Sequence, residues 1–284
     1  MEFSKVTTLL KATTLEAAVL TGRLVLYPSG LVPGGRDHRY DDRKDDRNER
    51  NDREGRGSGG DGDGRDNGAG RPVVLLHGLV DNRSVFLVLR RALARHGRTR
   101  VACLDYSPFT GDLRTAAVAL GRHVDRILER TGRAEVDVVG HSLGGLIARY
   151  YVQRLGGDAR VRTLVTLGTP HAGTTAGSPL ADAHPLVRQM RPGSEVLREL
   201  AEPAPGCRTR FVSFWSDLDR IMVPVETARL DHPDLLTHSV RVSGIGHLAL
   251  PVHPTVAAGV LEALDAEGAG GAEEAAGEGA ASVA

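Results

Sequence analysis

Cysteine, lysine and long apolar runs are all scarce in this chain, and each shortage removes a class of explanation. Two cysteines, Cys103 and Cys207, are too few for the disulfide framework that staples small secreted scaffolds. Cys103 lies inside an apolar run of strand length and Cys207 precedes another strand, so both are expected as free thiols. Lys+Arg and Asp+Glu balance at 36 each, so the net charge is zero. No long-range field then draws the chain to nucleic acid or to anionic lipid. Among the basic residues only Lys5, Lys11 and Lys44 are lysine, a bias that fits coding composition better than chemistry. The most apolar stretch, Thr7 to Tyr27, is interrupted by Lys11, Glu16 and Arg23, whereas a membrane span needs ~20 mostly apolar residues. It also lacks a basic leader and a clear small-x-small cleavage site.

What is present divides the chain into four parts. Residues 1–33 are expected as an apolar or amphipathic helical segment, either covering part of the core or lying on a membrane surface. Residues 34–71 collapse into Asp, Arg, Asn and Gly and are expected as a solvated, disordered linker, because almost nothing there can be buried. Residues 72–265 hold one folded domain, and 266–284 form a second disordered tail. The expected location is cytoplasmic or peripherally membrane-associated, with atypical secretion as an alternative.

Within the domain, short apolar runs alternate with helical stripes. Val73–Leu76, Val101–Leu104, Val136–Val139, Arg162–Leu167, Arg210–Phe214 and Ser239–Val242 have strand length. Val85–His96, Leu113–Glu129 and Leu143–Leu155 have helical periodicity and glycine stops. The alternation predicts an α/β fold: a mainly parallel sheet of about six strands with helices on both faces. Chemistry in such sheets sits beyond the carboxyl ends of the strands.

One of those ends reads "VDVVGHSLGGLIARYY", residues 136–151. A strand that becomes a helix through a single residue must turn sharply and strain it. Gly140 and Gly144 flank Ser142 at the spacing where a Cβ would crowd, and Gly145 lets the helix approach the sheet. The pattern presents Ser142 as a nucleophile at the top of the sheet.

A serine hydroxyl needs a base to take its proton, and the base needs an acid to orient it. His247, after the last strand in "VSGIGHLAL", emerges at the edge where Ser142 does and is the expected base. His77 follows the first strand and is expected to brace the neighbouring loop, while the His141 ring should point away from the hydroxyl. The acid lies in "FVSFWSDLDRIMVP", where Asp219 is preferred and Asp217 is the alternative. Backbone N–H groups of Leu143, opening the helix, and Leu79, in the loop that Gly78 lets bend, are the expected oxyanion donors.

Together "VVLLHGL", "VDVVGHSLGGLIARYY", "TLVTLGTPHAGT", "SDLDRIMVP" and "GIGHLAL" resemble bacterial lipases and esterases of the α/β-hydrolase superfamily, over Pro72 to about Val260. The resemblance implies a single-domain α/β-hydrolase fold with Ser142, Asp219 and His247 as the catalytic triad and Leu79 as the second oxyanion donor. It implies a small-molecule acyl or lipid ester as substrate and no cofactor. Some relatives carry structural calcium, but no carboxylate cluster here is assigned to a metal. Residues 172–201 form an insertion above the site, either a lid or acyl-pocket wall or ordinary helical packing. As a lid, it and the N-terminal segment are where contact with a lipid interface is expected. The leading expectation is a serine ester hydrolase working through an acyl-enzyme. An acyltransferase or thioesterase with the same triad is the alternative, and a non-catalytic binding protein a remote one.

Overall fold

Four aliphatic residues in a row, Val73–Leu76, form strand β1 near the middle of the sheet, and all four are fully buried. A strand covered on both faces needs no polar side, so its sequence reads as an unbroken apolar run. The structure, a computed structural model, describes residues 70–79, 81–106, 111–177 and 181–266. The expectations for residues 1–33, and for nearly all of the linker and tail, lie outside the described residues.

The remaining strands are β2 (Val101–Leu104), β3 (Val136–His141), β4 (Val161–Leu167), β5 (Arg210–Ser216) and β6 (Leu236–Val242). They form one six-stranded sheet in the order β2-β1-β3-β4-β5-β6, every pair parallel. The anticipated six strands are therefore all present. β6 starts three residues earlier than its apolar run because Leu236 to His238 are exposed on an edge strand, where burial does not dictate composition.

Alternate residues of β1 feed two cores. Val74 and Leu76 pack with helices α2 (Leu113–Thr131) and α3 (Leu143–Arg154), while Val73 and Leu75 pack with α1 (Leu87–Arg95) and α6 (Pro254–Asp265). In α2, Leu113, Ala117, Leu120 and Val124 are fully buried on one stripe. Each large one contributes ~1.5–3 kcal/mol by leaving water. Asp112 caps its start by accepting from the Arg114 N–H, and Gly132, at φ +64°, closes its end.

The insertion at 172–201 contributes two short helices, α4 (Pro185–Gln189) and α5 (Glu195–Ala201), to the α2–α3 face. Leu186, Val196 and Leu200 are buried in that core. Arg114 on α2 pairs with Glu195 at 3.0 Å and also with Glu199, whose carboxylate accepts from the Tyr150 hydroxyl of α3 at 2.6 Å. Cys103 and Cys207 are free thiols. Among the described residues no helix is long and apolar enough to cross a membrane.

This order places β2 on one side of β1 and β3 on the other. The chain reverses direction across the sheet between β1 and β3, opening a crevice beyond their carboxyl ends.

Candidate active site

Ser142 stands in that crevice at φ +53°, ψ −121°, and is the one non-glycine with positive φ among the described residues. Such a conformation costs ~1–3 kcal/mol and persists only where the surroundings enforce it. They do so through the main chain. The Ser142 N–H donates to Leu167 O at 2.9 Å, and its carbonyl accepts from Thr169 Oγ1 at 3.0 Å. The neighbouring glycines answer to more than mutual crowding. A Cβ on Gly140 would lie 2.6 Å from Gly145 Cα, one on Gly144 would lie 2.5 Å from Leu76 O, and one on Gly145 would strike the Thr169 side chain. Gly144 and Gly145 therefore let α3 seat against the end of β1 and the loop after β4.

His247 arrives in the loop after β6, at the start of a short 3₁₀ turn. Its Nδ1 lies 2.7 Å from Asp219 Oδ2, and the two residues are only 3% and 2% exposed. Asp219 Oδ1 accepts the N–H groups of Ile221 and Met222, each at 2.9 Å, so the turn after β5 fixes the carboxylate. Asp217, two residues earlier, is half-buried and faces elsewhere. It accepts from Arg241 at 3.0 Å and from the Gly244 N–H at 3.2 Å. Burial raises its pKa, but the bonds from Arg241, Gly244 and Ser243 more than offset that and hold it below the ordinary carboxylate value. Asp217 thus staples the loop that carries His247, assisted by the Ser216 hydroxyl, which donates to Ile245 O.

Two residues bind these parts together that sequence reasoning left out or set aside. Gly168 has φ +55°, and a Cβ there would lie 3.0 Å from His247 Nδ1 and 3.1 Å from Asp219 Oδ2. Any side chain would wedge into the pair. The His141 ring packs on the His247 ring with centroids 4.9 Å apart, and its Nε2 lies 3.3 Å from His247 O. Its Nδ1 lies 3.1 Å from Asp81 Oδ2. The ring beside Ser142 therefore holds the backbone of His247. No hydrogen bond joins the Ser142 hydroxyl to the His247 ring among the described residues. Catalytic hydrogen bonds commonly tighten only when substrate is bound.

The loop after β1 closes the third side. A Cβ on Gly78 would lie 3.4 Å from Ser142 Cβ, so the loop passes against the serine at Gly78; Leu79, the next residue, packs against the core of the α2–α3 face. Leu143, directly after the serine, is the first residue of α3. His77 Nδ1 lies 2.8 Å from Gly78 O, and its ring stacks on Tyr106 at 4.3 Å. The Tyr106 hydroxyl donates to His77 O. Burial lowers the His77 pKa, partly offset by the Gly78 carbonyl, and burial raises that of Tyr106 well above its ordinary value. Both rings are therefore neutral at pH 7. Tyr106 and Asp81 carried no sequence signal of their own. Their roles depend on β2 lying beside β1 and on the bend at Gly78.

Among the described residues no three His, Cys, Asp or Glu side chains converge as a metal site. His184 and His253 cap α4 and α6 through their ring nitrogens, so they serve structure.

The sheet order, the strained serine between β3 and α3, and the histidine after β6 define an α/β-hydrolase fold. The profile of the alpha/beta hydrolase fold family matches residues 71–202. In sequence the chain is similar to a triacylglycerol lipase of Pseudarthrobacter phenanthrenivorans, 32% identical over 111 residues that make up 36% of this chain and 34% of that protein. A triacylglycerol lipase of Burkholderia plantarii is likewise 32% identical over 111 residues, 36% of this chain and 30% of that one. The chain thus matches about a third of the length of these relatives. In structure it is similar to Aspergillus fumigatus lipase B, with TM-score 0.62, 17% identity, and coverage of 70% of this chain and 53% of that one. Bacillus licheniformis lipase BlEst2 in mature form gives TM-score 0.56 and 17% identity, over 69% and 92% of the two chains. At these identities the structural likeness concerns the fold.

Proposed function

We propose that this protein is a carboxylic ester hydrolase, acting on acyl or lipid esters through an acyl-enzyme on Ser142. The observation that carries this reading is the buried His247–Asp219 pair at 2.7 Å, delivered to the same crevice as a serine held at positive φ. Asp219 orients the ring with Nδ1 inward, so the opposite nitrogen, Nε2, takes the hydroxyl proton as Ser142 Oγ attacks the ester carbonyl. The carbonyl oxygen becomes an oxyanion between the amides of Leu143 and Leu79, each such donor worth ~3 kcal/mol in acyl transfer. His247 then returns its proton to the leaving alcohol. Water, deprotonated by the same ring, cleaves the acyl-serine and restores the hydroxyl.

The similarity to triacylglycerol lipases over 111 residues favours an ester with an apolar acyl chain. The insertion helices fit a fixed wall better than a swinging lid. Glu199 ties α5 to both α2 and α3, and α4 and α5 bury their apolar faces. The test is hydrolysis of p-nitrophenyl esters of increasing chain length by the full chain and by Ser142→Ala. The expected result is turnover that extends to long chains and falls at least ~10³-fold in kcat in the variant. Turnover confined to acetate would remove the lipase form of the reading, and undiminished turnover by Ser142→Ala would remove the serine mechanism. Transfer of the acyl group to an added alcohol in preference to water would identify an acyltransferase instead.

A further inference from the structure

The His247–Asp219 pair has a near copy beside it. His141 Nδ1 lies 3.1 Å from Asp81 Oδ2, and the two side chains are 1% and 4% exposed. Each pair also has its own glycine. A Cβ on Gly168 would lie 3.0 Å from His247 Nδ1 and 3.1 Å from Asp219 Oδ2. One on Gly78 would lie 3.0 Å from Asp81 Oδ2 and 3.2 Å from His141 Nδ1. Gly78 has no positive φ that would itself call for glycine. A side chain there would press on the acid and on the ring, so the missing Cβ makes room for the pair.

The copy is anchored at both ends. The Asp81 N–H donates to Gly78 O at 3.3 Å, and the next residue, Asn82, caps the 3₁₀ turn Arg83–Phe86 that leads into α1. His141 is the last residue of β3, in register with Leu167 of β4. Its Nε2 lies 3.3 Å from His247 O. A carbonyl oxygen has no hydrogen to give, so in this bond Nε2 donates. A ring nitrogen's hydrogen is fixed by the bonds the ring makes, and the two imidazoles need opposite patterns. His141 needs a hydrogen on Nε2. His247, with Nδ1–H toward Asp219, must leave its own Nε2 bare to act as base.

We propose that Asp81 and His141 are positioning residues, a second acid–imidazole pair that ties the loop after β1 to the main chain of the base. The proposal rests on the ester hydrolase reading, since it concerns how that reaction's parts are held together. The loop after β1 carries the Leu79 amide, and the loop after β6 carries His247. Both are needed in the same transition state, one at the oxyanion and one at the serine hydroxyl. Asp81 and His141 hold the two loops to each other without touching the substrate or moving a proton. A shift of about 1 Å in either loop is enough to cost ~10²-fold in rate.

Steady-state hydrolysis of p-nitrophenyl butyrate by the full chain and four variants tests this. His141→Phe keeps a ring but loses both nitrogens, and Asp81→Ala removes the carboxylate. Each is expected to lower kcat at least ~10-fold, with KM little changed. Asp81→Asn should recover most of the loss, because its amide can donate to Nδ1 while Nε2–H stays on the carbonyl. The double variant Asp81→Ala/His141→Phe should cost no more than the costlier single one, as residues acting as a unit do. Losses that multiply in the double variant, a loss carried by KM, or variants that match an active wild type would overturn the proposal. A wild type without turnover would remove the ester hydrolase reading itself. Nitrogen NMR of the wild type with labelled histidine needs neither turnover nor a folded variant. It should show hydrogen on Nε2 of His141 at about pH 7; a bare Nε2 there would overturn the pair.

Discussion

At Asp217 and Asp219, two carboxylates a residue apart have unlike surroundings. Asp219 accepts two backbone N–H groups and faces the His247 ring, while Asp217 accepts from Arg241 and Gly244. Asp219→Asn is expected to cut kcat by ~10³–10⁴-fold, because an amide no longer fixes the imidazole tautomer. Asp217→Asn should cost well under a tenth of that; steady-state kinetics that rank the two in reverse would refute the assignment. The pairing of Asp219 with the His247 ring was foreshadowed by its position at the end of a strand run. The parts assigned to Asp81 and Tyr106 were not, since each acts on a residue far along the chain: Asp81 on His141, and Tyr106 on the His77 carbonyl. His141 was read only as pointing away from the hydroxyl, and its packing against the His247 ring, from a residue 106 positions away, left no mark in the sequence.

Close approaches between elements are what glycine makes available here. α3 meets β1 at Gly144 and the loop after β4 at Gly145, while Gly168 leaves space for the His247–Asp219 pair. Gly144→Ala is expected to destabilise by ~1–3 kcal/mol, since backbone carbonyls cannot yield to the new methyl; urea unfolding midpoints measure it. Gly168→Ala acts differently: alongside the backbone strain of φ +55°, its methyl displaces the His247–Asp219 pair. Activity in the folded variant should fall by ~10²-fold, the scale of a misplacement near 1 Å. Periodicity identified six strands and three of the helices, because buried parallel strands and amphipathic stripes leave repeating marks. It did not single out α6, whose alanines and missing C-terminal glycine blur its end, and it stopped short on β6, whose exposed start obeys no apolar rule. Gly168 was invisible for a similar reason, since its necessity arises from two side chains 50 or more residues away in sequence.

For the whole molecule, buried imidazoles link stability to pH. His77 and His171 both have pKa values lowered, chiefly by burial, so each stays neutral in the folded chain when its unfolded counterpart takes up a proton. Their stabilising contribution is complete above the unfolded value near 6.5 and is lost as pH falls toward the folded values. Stability should therefore drop on acidification from about pH 7.5 to about pH 5, by up to ~1.4 kcal/mol per pH unit for each ring. His171→Phe should remove about one proton's share of that slope, and an unchanged slope would contradict the assignment. The net charge of zero, with 36 residues of each sign, was the sequence's clearest global statement, and it bears on partners more than on fold.

The central claim, that Ser142 is an activated nucleophile, is tested most directly by peptide mapping after a fluorophosphonate probe. A single adduct per chain on the peptide containing Ser142, absent from Ser142→Ala, is the predicted result. A folded protein that takes up no probe, or carries it on another residue, would contradict the account.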